Sequence, residues 1–412
     1  MISVVILSLV FLGITVRKIG RFKLDIWQIM FLGAVADIAF GEVRFQRALK
    51  MVDWEVIIFL FCMFCVGALF EISGYIERFE NKLFSGERNF DKNLYIFIFV
   101  SAFLSAVLMN DTVAILGVPV IFSLSKRYRI SAKPLIFALA FSVTVGSVFS
   151  PIGNPQNLLI AIKSEIKNPF FSFIKHLIVP SVINLLIIFW IIKIYYRKEI
   201  SGISQFKKVS FTLKNKWLYW LSHFTMALVV SLIIIKIYFS INGKEISLVN
   251  IALISSIPAL LFSFNQIKII KMVDFKTLIF FVSMFIVTGS AWESGYIQKV
   301  LLTERVNLLS IEFIFILSIL FSQLISNVPL VALFMPVFLS LGAGEKTYLS
   351  LAAASTIAGN LSLLGAASNV IIIQNIENRG GESFSGWEFF KLGFPVTLIN
   401  SLVYYLFLKF FN

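Results

Sequence analysis

One carboxylate stands out for its surroundings. Asp111 lies in LMNDTVAILGVPVIFSL (residues 108–124), between Asn110 and Thr112 and inside an otherwise apolar run. At a bilayer centre a carboxylate costs roughly 2.5–3.5 kcal/mol even on insertion scales, and Asn would cap a helix as well without the charge. Asp111 is therefore expected at a hydrated position, where it ligates Na⁺ or carries a proton. Three more polar interruptions share this character: Ser326-Asn327-Val328 followed by Pro329, Gly153-Asn154-Pro155-Gln156-Asn157, and Gly365-Ala366-Ala367-Ser368-Asn369. Each holds a helix breaker or a capping residue. Proline lacks an amide proton, and glycine tolerates unwound backbone.

Non-helical backbone at membrane depth survives only when buried in protein or lining a wet cavity. Freed carbonyl oxygens suit Na⁺, and a helix restarting after a break presents N-terminal amides that suit an anion. Capping alone also accounts for Asn110, Thr112, Ser326 and Asn327, and it is compatible with ion binding. The expected substrate is thus a small anion or cation, with Na⁺ or H⁺ as the coupling ion and no other cofactor. The remaining reactive residue types give no second site. Cys62 and Cys65 share one apolar span, and His176 and His223 stand near span ends without a companion ligand. Asp37, Glu71, Glu293 and Glu312 also fall near span ends, where solvent is expected to reach them. No nucleophile–base or metal constellation is visible, so an enzyme is not expected.

The elements that must position these residues are membrane spans. The chain has 412 residues, 58% of them hydrophobic and 14% charged, with 45 Phe; soluble domains carry about 25% charged residues. The net charge of +14 resides in short loops between apolar runs, the pattern of cytoplasmic loops facing anionic lipid rather than of nucleic-acid binding. A helix needs about 20 apolar residues to cross. Spans read at 2–16, 24–41, 54–76, 134–162, 174–196, 217–240, 248–264, 277–297, 349–376 and 389–411. Residues 94–108 and 113–125 are too short to cross singly, and basic loops flank both. They predict a re-entrant hairpin over 94–125, repeated over 308–342. The basic loops at 17–23, 126–133, 196–216 and 268–276 belong in the cytoplasm, which puts the N-terminus outside a multi-pass cell-membrane protein; Arg44, Arg47 and Lys50 go against this orientation.

The chain also repeats itself. SGYI occurs at 73–76 and 294–297, an offset of 221. The opening stretch aligns with NVPLVALFMPVFLSL (327–341) at 217, pairing Asn110 with Asn327 and Pro119 with Pro336. GNPQN (153–157) aligns with GAASN (365–369) at 212. Three landmarks in one order indicate duplication. The expected fold is an all-α polytopic membrane protein of two inverted five-helix repeats, each with one re-entrant hairpin and one broken helix. Repeat one covers 1–200, a basic cytoplasmic linker 201–216, and repeat two 217–412. Such inverted repeats are characteristic of secondary transporters with a midplane site.

LMNDTVAILGVPVIFSL, SPIGNPQNLLIAI, SNVPLVALFMPV and GNLSLLGAASNVIII together resemble the ion transporter superfamily. The branch is that of arsenite permeases, citrate transporters and D-type sodium/proton antiporters, with divalent-anion:sodium symporters as relatives. The resemblance covers roughly residues 50–376. It implies two inverted repeats, two hairpins, an elevator-like transport domain and homodimers held by a scaffold. Carried over by position, the hairpin signatures fall on Asn110, Asp111 and Thr112 and on Ser326, Asn327 and Val328; the broken-helix signatures fall on 153–157 and 365–369. The anion symporters typically have Ser-Asn-Thr at both tips, whereas this chain has Asn-Asp-Thr and Ser-Asn-Val-Pro. The similar antiporters often carry an acid where Ser326 stands. Three functions follow as expectations: an ion-coupled anion permease first, a sodium/proton antiporter second and an anion channel third.

Overall fold

Apolar runs bounded by capping and breaking residues set helices of 7 to 27 residues. The computed structural model describes residues 2–16, 18–19, 22–23, 26–75, 78, 84, 89–200, 215–241, 246–296, 299, 307–325, 327–378, 381 and 385–410. Its first half contains α1 (Ile2–Val16), α2 (Ile26–Ala39), α3 (Phe45–Met51), α4 (Trp54–Ser73), α5 (Phe90–Leu108), α6 (Asn110–Tyr128), α7 (Lys133–Val148), α8 (Pro155–Lys163) and α9 (Pro169–Tyr195). Its second half contains α10 (Lys216–Ile241), α11 (Leu248–Leu261), α12 (Gln266–Met272), α13 (Phe275–Glu293), α14 (Ile311–Ile325), α15 (Asn327–Ser340), α16 (Glu345–Ala358), α17 (Ala367–Asn378) and α18 (Gly386–Phe410). A two-residue hairpin between α1 and α2 pairs Lys18 with Lys23 and Ile19 with Phe22. Among the described residues, six helices are long and apolar enough to cross a membrane, and six shorter apolar ones accompany them. The protein is an all-α polytopic membrane protein.

Local chemistry explains the boundaries. Asp53 and Asp274 cap α4 and α13 by accepting from amides of the first turn, and Asn89 and Asn168 do the same for α5 and α9. Gly74, with φ of 64°, closes α4 in the left-handed region. Proline opens α7, α8 and α9 at positions that need no amide proton.

The two halves have the same element order, and their packing partners exchange. Helix α2 packs on α13 as α11 packs on α4; α1 packs on α2 and α13 as α10 packs on α11 and α4. Likewise α5 packs on α7 as α14 does on α16, and α17 packs on α6 as α8 does on α15. Two counterpart pairs meet each other directly, α7 with α16 and α9 with α18. A further sequence landmark, missed above, fits this pattern: KMVD at 50–53 and again at 271–274 ends α3 and α12 and supplies both aspartate caps.

The helices form two groups. One comprises α5–α9 and α14–α18, which carry the hairpins, the interruptions and the last helix of each half. The other comprises α1–α4 and α10–α13. They touch through a few pairs, among them α4 with α6 and α8, and α13 with α15.

Several expectations change in detail. The first hairpin's arms are 19 residues each rather than 15 and 13, because both helices run on into their charged ends at Asp91-Lys92 and Lys126-Arg127. Its hairpin character comes from the turn, one residue long at Met109 with φ of 70°, and not from short arms. Residues 201–214 of the linker lie outside the described residues, as does Ser326. Asp37 is not at a solvated end. It is fully buried between α2 and α13, where one carboxylate oxygen accepts from the Ser290 hydroxyl. Glu71, Glu293 and Glu312 are exposed as expected.

Candidate functional site

The first interruption is a short stretch of loop between α7 and α8. Helix α7 ends at Val148 because Ser150-Pro151 and Gly153 break it, and Pro155 restarts the chain as α8. Asn154 caps α8 by accepting from the Asn157 amide at 2.8 Å. The side-chain amide of Asn157 turns back and donates to the carbonyls of Ser147, Val148 and Ser150 at 3.0, 3.3 and 3.1 Å. A Cβ on Gly153 would stand 2.4 Å from the Ser147 carbonyl oxygen, so the loop closes only around glycine.

The second interruption repeats this clamp. Asn369 Nδ2 donates to the carbonyls of Gly359 and Ser362 at 2.8 and 3.4 Å. At the offset of 212 these acceptors are the counterparts of Ser147 and Ser150. The break begins earlier than expected: α16 ends at Ala358, a single 3₁₀ turn follows at Leu363–Gly365, and α17 starts at Ala367. Ser368 and Asn369 therefore belong to the first turn of α17. Gly365 and Ala366 are buried, and Ala367 is exposed.

Both hairpin tips dock on these breaks. The Asn110 amide donates to the Gly153 carbonyl at 2.8 Å, and Asn110 Oδ1 accepts from the Asp111 amide at 2.9 Å. On the other side Gln323, near the end of α14, donates to the Ala358 carbonyl at 2.7 Å and accepts from the Ser362 hydroxyl at 2.7 Å. A Cβ on Gly359 would come within 3.3 Å of Asn327 Nδ2, so that tip also lies against its break. Thr356 of α16 joins the halves. Its hydroxyl accepts from Asn154 and Gln156 at 3.2 and 3.3 Å and reaches Asn157 Oδ1 at 3.4 Å. The four interruptions thus form one connected polar core.

Within that core the two halves differ in saturation. Asn154, Gln156 and Asn157 are buried and hydrogen-bonded. In the second half five buried atoms have no hydrogen-bond partner among the described residues: Asn327 Oδ1, both amide atoms of Asn360, Ser368 Oγ and Asn369 Oδ1. Native interiors leave few such atoms unpaired. The carbonyls expected to be free for Na⁺ already accept from the two asparagine clamps, although each retains a second lone pair.

Asp111 is half-buried in the first turn of α6, and no hydrogen bond reaches its carboxylate among the described residues. The Asp274 carboxylate that caps α13 accepts from the amide and hydroxyl of Thr277. Thr112 is buried against α4, where a Cβ on Gly67 would stand 2.9 Å from the threonine methyl. Val328 is partly buried in the first turn of α15. No residue of the four interruptions is a lysine, arginine or histidine. The nearby Lys163, ending α8, pairs instead with Asp53 at 2.6 Å across the boundary between the two helix groups.

Sequence reasoning missed Thr356, Gln323, Asn360 and Ser362. Extending the 212-residue alignment upstream of GNPQN would have found Ser362 opposite Ser150 and Thr356 opposite Thr144.

Comparison with known proteins agrees with this architecture. A family model described as "Citrate transporter" matches residues 9–358. A silicon efflux transporter of Oryza sativa subsp. japonica, LSI3, is 25% identical over 442 residues, covering 90% of each chain. A putative transporter of Dictyostelium discoideum, arsB, is 23% identical over 486 residues, covering 90% of this chain and 85% of its own. Among solved structures, the YdaH transporter of Alcanivorax borkumensis superposes with a TM-score of 0.57 at 13% identity, over 99% of this chain and 96% of its own.

Proposed function

The chain belongs to the citrate transporter family, and from that premise we propose that this membrane transporter is a secondary permease, coupled to Na⁺ or H⁺, for a small oxygen-rich inorganic or carboxylate anion. One observation carries the reading. Four interruptions from both halves converge on a single buried core, and its second half keeps five polar atoms open. The solute would lie there, against Asn327, Asn360, Ser368 and Asn369, with the first amides of α17 facing its negative charge. Asp111 would hold the coupling cation on the other tip. With no cationic side chain at the site, the anion's charge would be met by amides and by that cation.

Movement would be of elevator type, with α5–α9 and α14–α18 as the transport body and α1–α4 and α10–α13 as the scaffold. The two five-pass copies would enter the membrane in opposite orientation, consistent with their exchanged packing. Homodimerisation through the scaffold, residence in the cell membrane and an outside N-terminus complete the reading.

A specific observation favours a second reading, a sodium/proton antiporter: no hydrogen bond reaches the Asp111 carboxylate among the described residues, which leaves it open to exchange a cation for a proton. Flux in proteoliposomes separates the two. A panel of citrate, arsenite and silicic acid (the last suggested by the rice relative) should show gradient-driven accumulation of one solute. Collapse of an imposed pH gradient by Na⁺ alone would select the antiporter, and uncoupled flux would select a channel.

A further inference from the structure

A second buried polar cluster lies away from the interruptions, where α9 crosses its counterpart α18. Ser181 and Asn184 of α9 are both fully buried. Thr397, Asn400, Ser401 and Tyr404 of α18 are spaced at i, i+3, i+4 and i+7, so they form one stripe, and all four are buried. The stripes are pinned together by two contacts. Asn184 Nδ2 donates to the Asn400 carbonyl at 3.2 Å, and the Ser181 and Tyr404 hydroxyls lie 2.6 Å apart. The arrangement is duplicated as well: Ser181-Val-Ile-Asn184 aligns with Thr397-Leu-Ile-Asn400 at an offset of 216.

Five atoms of this cluster have no partner among the described residues: Asn184 Oδ1, Thr397 Oγ1, Asn400 Oδ1 and Nδ2, and Ser401 Oγ. Leaving each unmet would cost about 1–3 kcal/mol, so the set is built to meet something. Four of the five are oxygens. The Thr397 and Ser401 hydroxyls bond no carbonyl among the described residues, so each oxygen has both lone pairs open to a ligand. The cluster therefore has an excess of neutral acceptors. It holds no carboxylate, which hard divalent cations require.

We propose that Asn184, Thr397, Asn400 and Ser401 form a monovalent-cation site for Na⁺, separate from Asp111 and seated where the two halves cross. Its occupant ties α9 to α18, and through them the α7 and α16 helices that lead into both interruptions.

Thermal unfolding of the purified full-length protein, in NaCl against choline chloride at constant ionic strength, tests this. The Asp111→Asn background separates this site from coupling. There, Na⁺ should still stabilise the protein, and adding Thr397→Val or Asn400→Ala should raise the half-saturating Na⁺ by about tenfold or more, as loss of one ligand predicts. Thr397→Val is nearly isosteric, and Asn400→Ala keeps the carbonyl that Asn184 bonds, so both variants should fold. Equilibrium binding of radiolabelled Na⁺ reads the same site without these variants, with about one ion per chain expected in Asp111→Asn. Absence of Na⁺-dependent stabilisation and of bound Na⁺ in that background would overturn the proposal, and so would an unchanged half-saturation in both variants. Neither result touches the transport reading, which rests on solute flux.

Discussion

Gly153→Ala is the sharpest test of the convergent core. A Cβ there would lie 2.4 Å from the Ser147 carbonyl oxygen and 2.7 Å from its Cα, whereas ordinary contact begins at 3.4 Å. Relief needs about 1 Å of backbone movement, because neither obstacle is the end of a flexible side chain. That shift is enough to break the 2.8 Å bond from the Asn110 amide to the Gly153 carbonyl. Overpacking costs about 1–3 kcal/mol and the lost bond about 1 kcal/mol. Together, ~2–4 kcal/mol corresponds to a drop of roughly 30- to 1,000-fold in the docked population. Initial-rate uptake in proteoliposomes should fall accordingly, with a lowered unfolding midpoint. Gly386→Ala is the control, since nothing lies within 4 Å of a Cβ at that helix start. If Gly153→Ala takes up solute like the wild type and melts at the same temperature, the docking of tip on break has no part in transport.

Four further outcomes follow from the same geometry. Asp111→Asn should fold and insert normally yet lose cation coupling, seen as uptake that no longer responds to the Na⁺ or H⁺ gradient; unchanged coupling would exclude the residue. Thr356→Val strands the Gln156 amide and leaves Asn154 Nδ2 with Ser147 alone, and should destabilise by about 1–3 kcal/mol, measured as a fall in unfolding midpoint that Ser355→Ala, whose hydroxyl bonds within its own helix, does not reproduce. Lys163→Gln removes the ion pair across the group boundary and leaves the nearly buried Asp53 without its cation; altered cross-linking between α4 and α8, with a changed transport rate, is expected. In the turn between α2 and α3, hydrogen bonds from the Ser3 hydroxyl and amide hold the Glu42 carboxyl below its ordinary 4.5. A group depressed on folding stabilises above its unfolded value and loses that contribution as pH falls through the folded one. The melting difference between wild type and Glu42→Gln should therefore shrink as pH drops below 4.5.

The spans, the repeated landmarks and the four interruptions were legible in sequence because each follows from a local pattern: apolar length, a repeated tetrapeptide, or a glycine, proline or capping residue in a greasy run. Where the sequence misled, the deciding fact was a partner distant in the chain. Asp37 looked like a solvated span end, yet Ser290, 253 residues away, buries beside it. The hairpin arms looked short because hydropathy stops at the first charged residue, while helical hydrogen bonding continues through Asp91 and Lys126. Asn360 and Thr356 looked like ordinary polar residues near a helix end. Only the fold puts Thr356 on Asn154, Gln156 and Asn157 of the other half.

Duplication also explains why the two halves differ in saturation. The asparagine clamp, Asn157 in one half and Asn369 in the other, is kept at equivalent acceptors because it holds an otherwise unstable break closed. Around it the residues diverge: Asn154 and Gln156 face Ala366 and Ser368 at the same offset. The first break has two extra amides, which it spends on Thr356 of the opposite half. The second has no such cross-link, so Asn360 and Ser368 are left with open valence at the same depth. A pair of identical breaks would either saturate each other or both stay open. Divergence leaves one break saturated and the other with the open atoms that the proposed solute would meet, while Asp111 stands at the tip beside the saturated break.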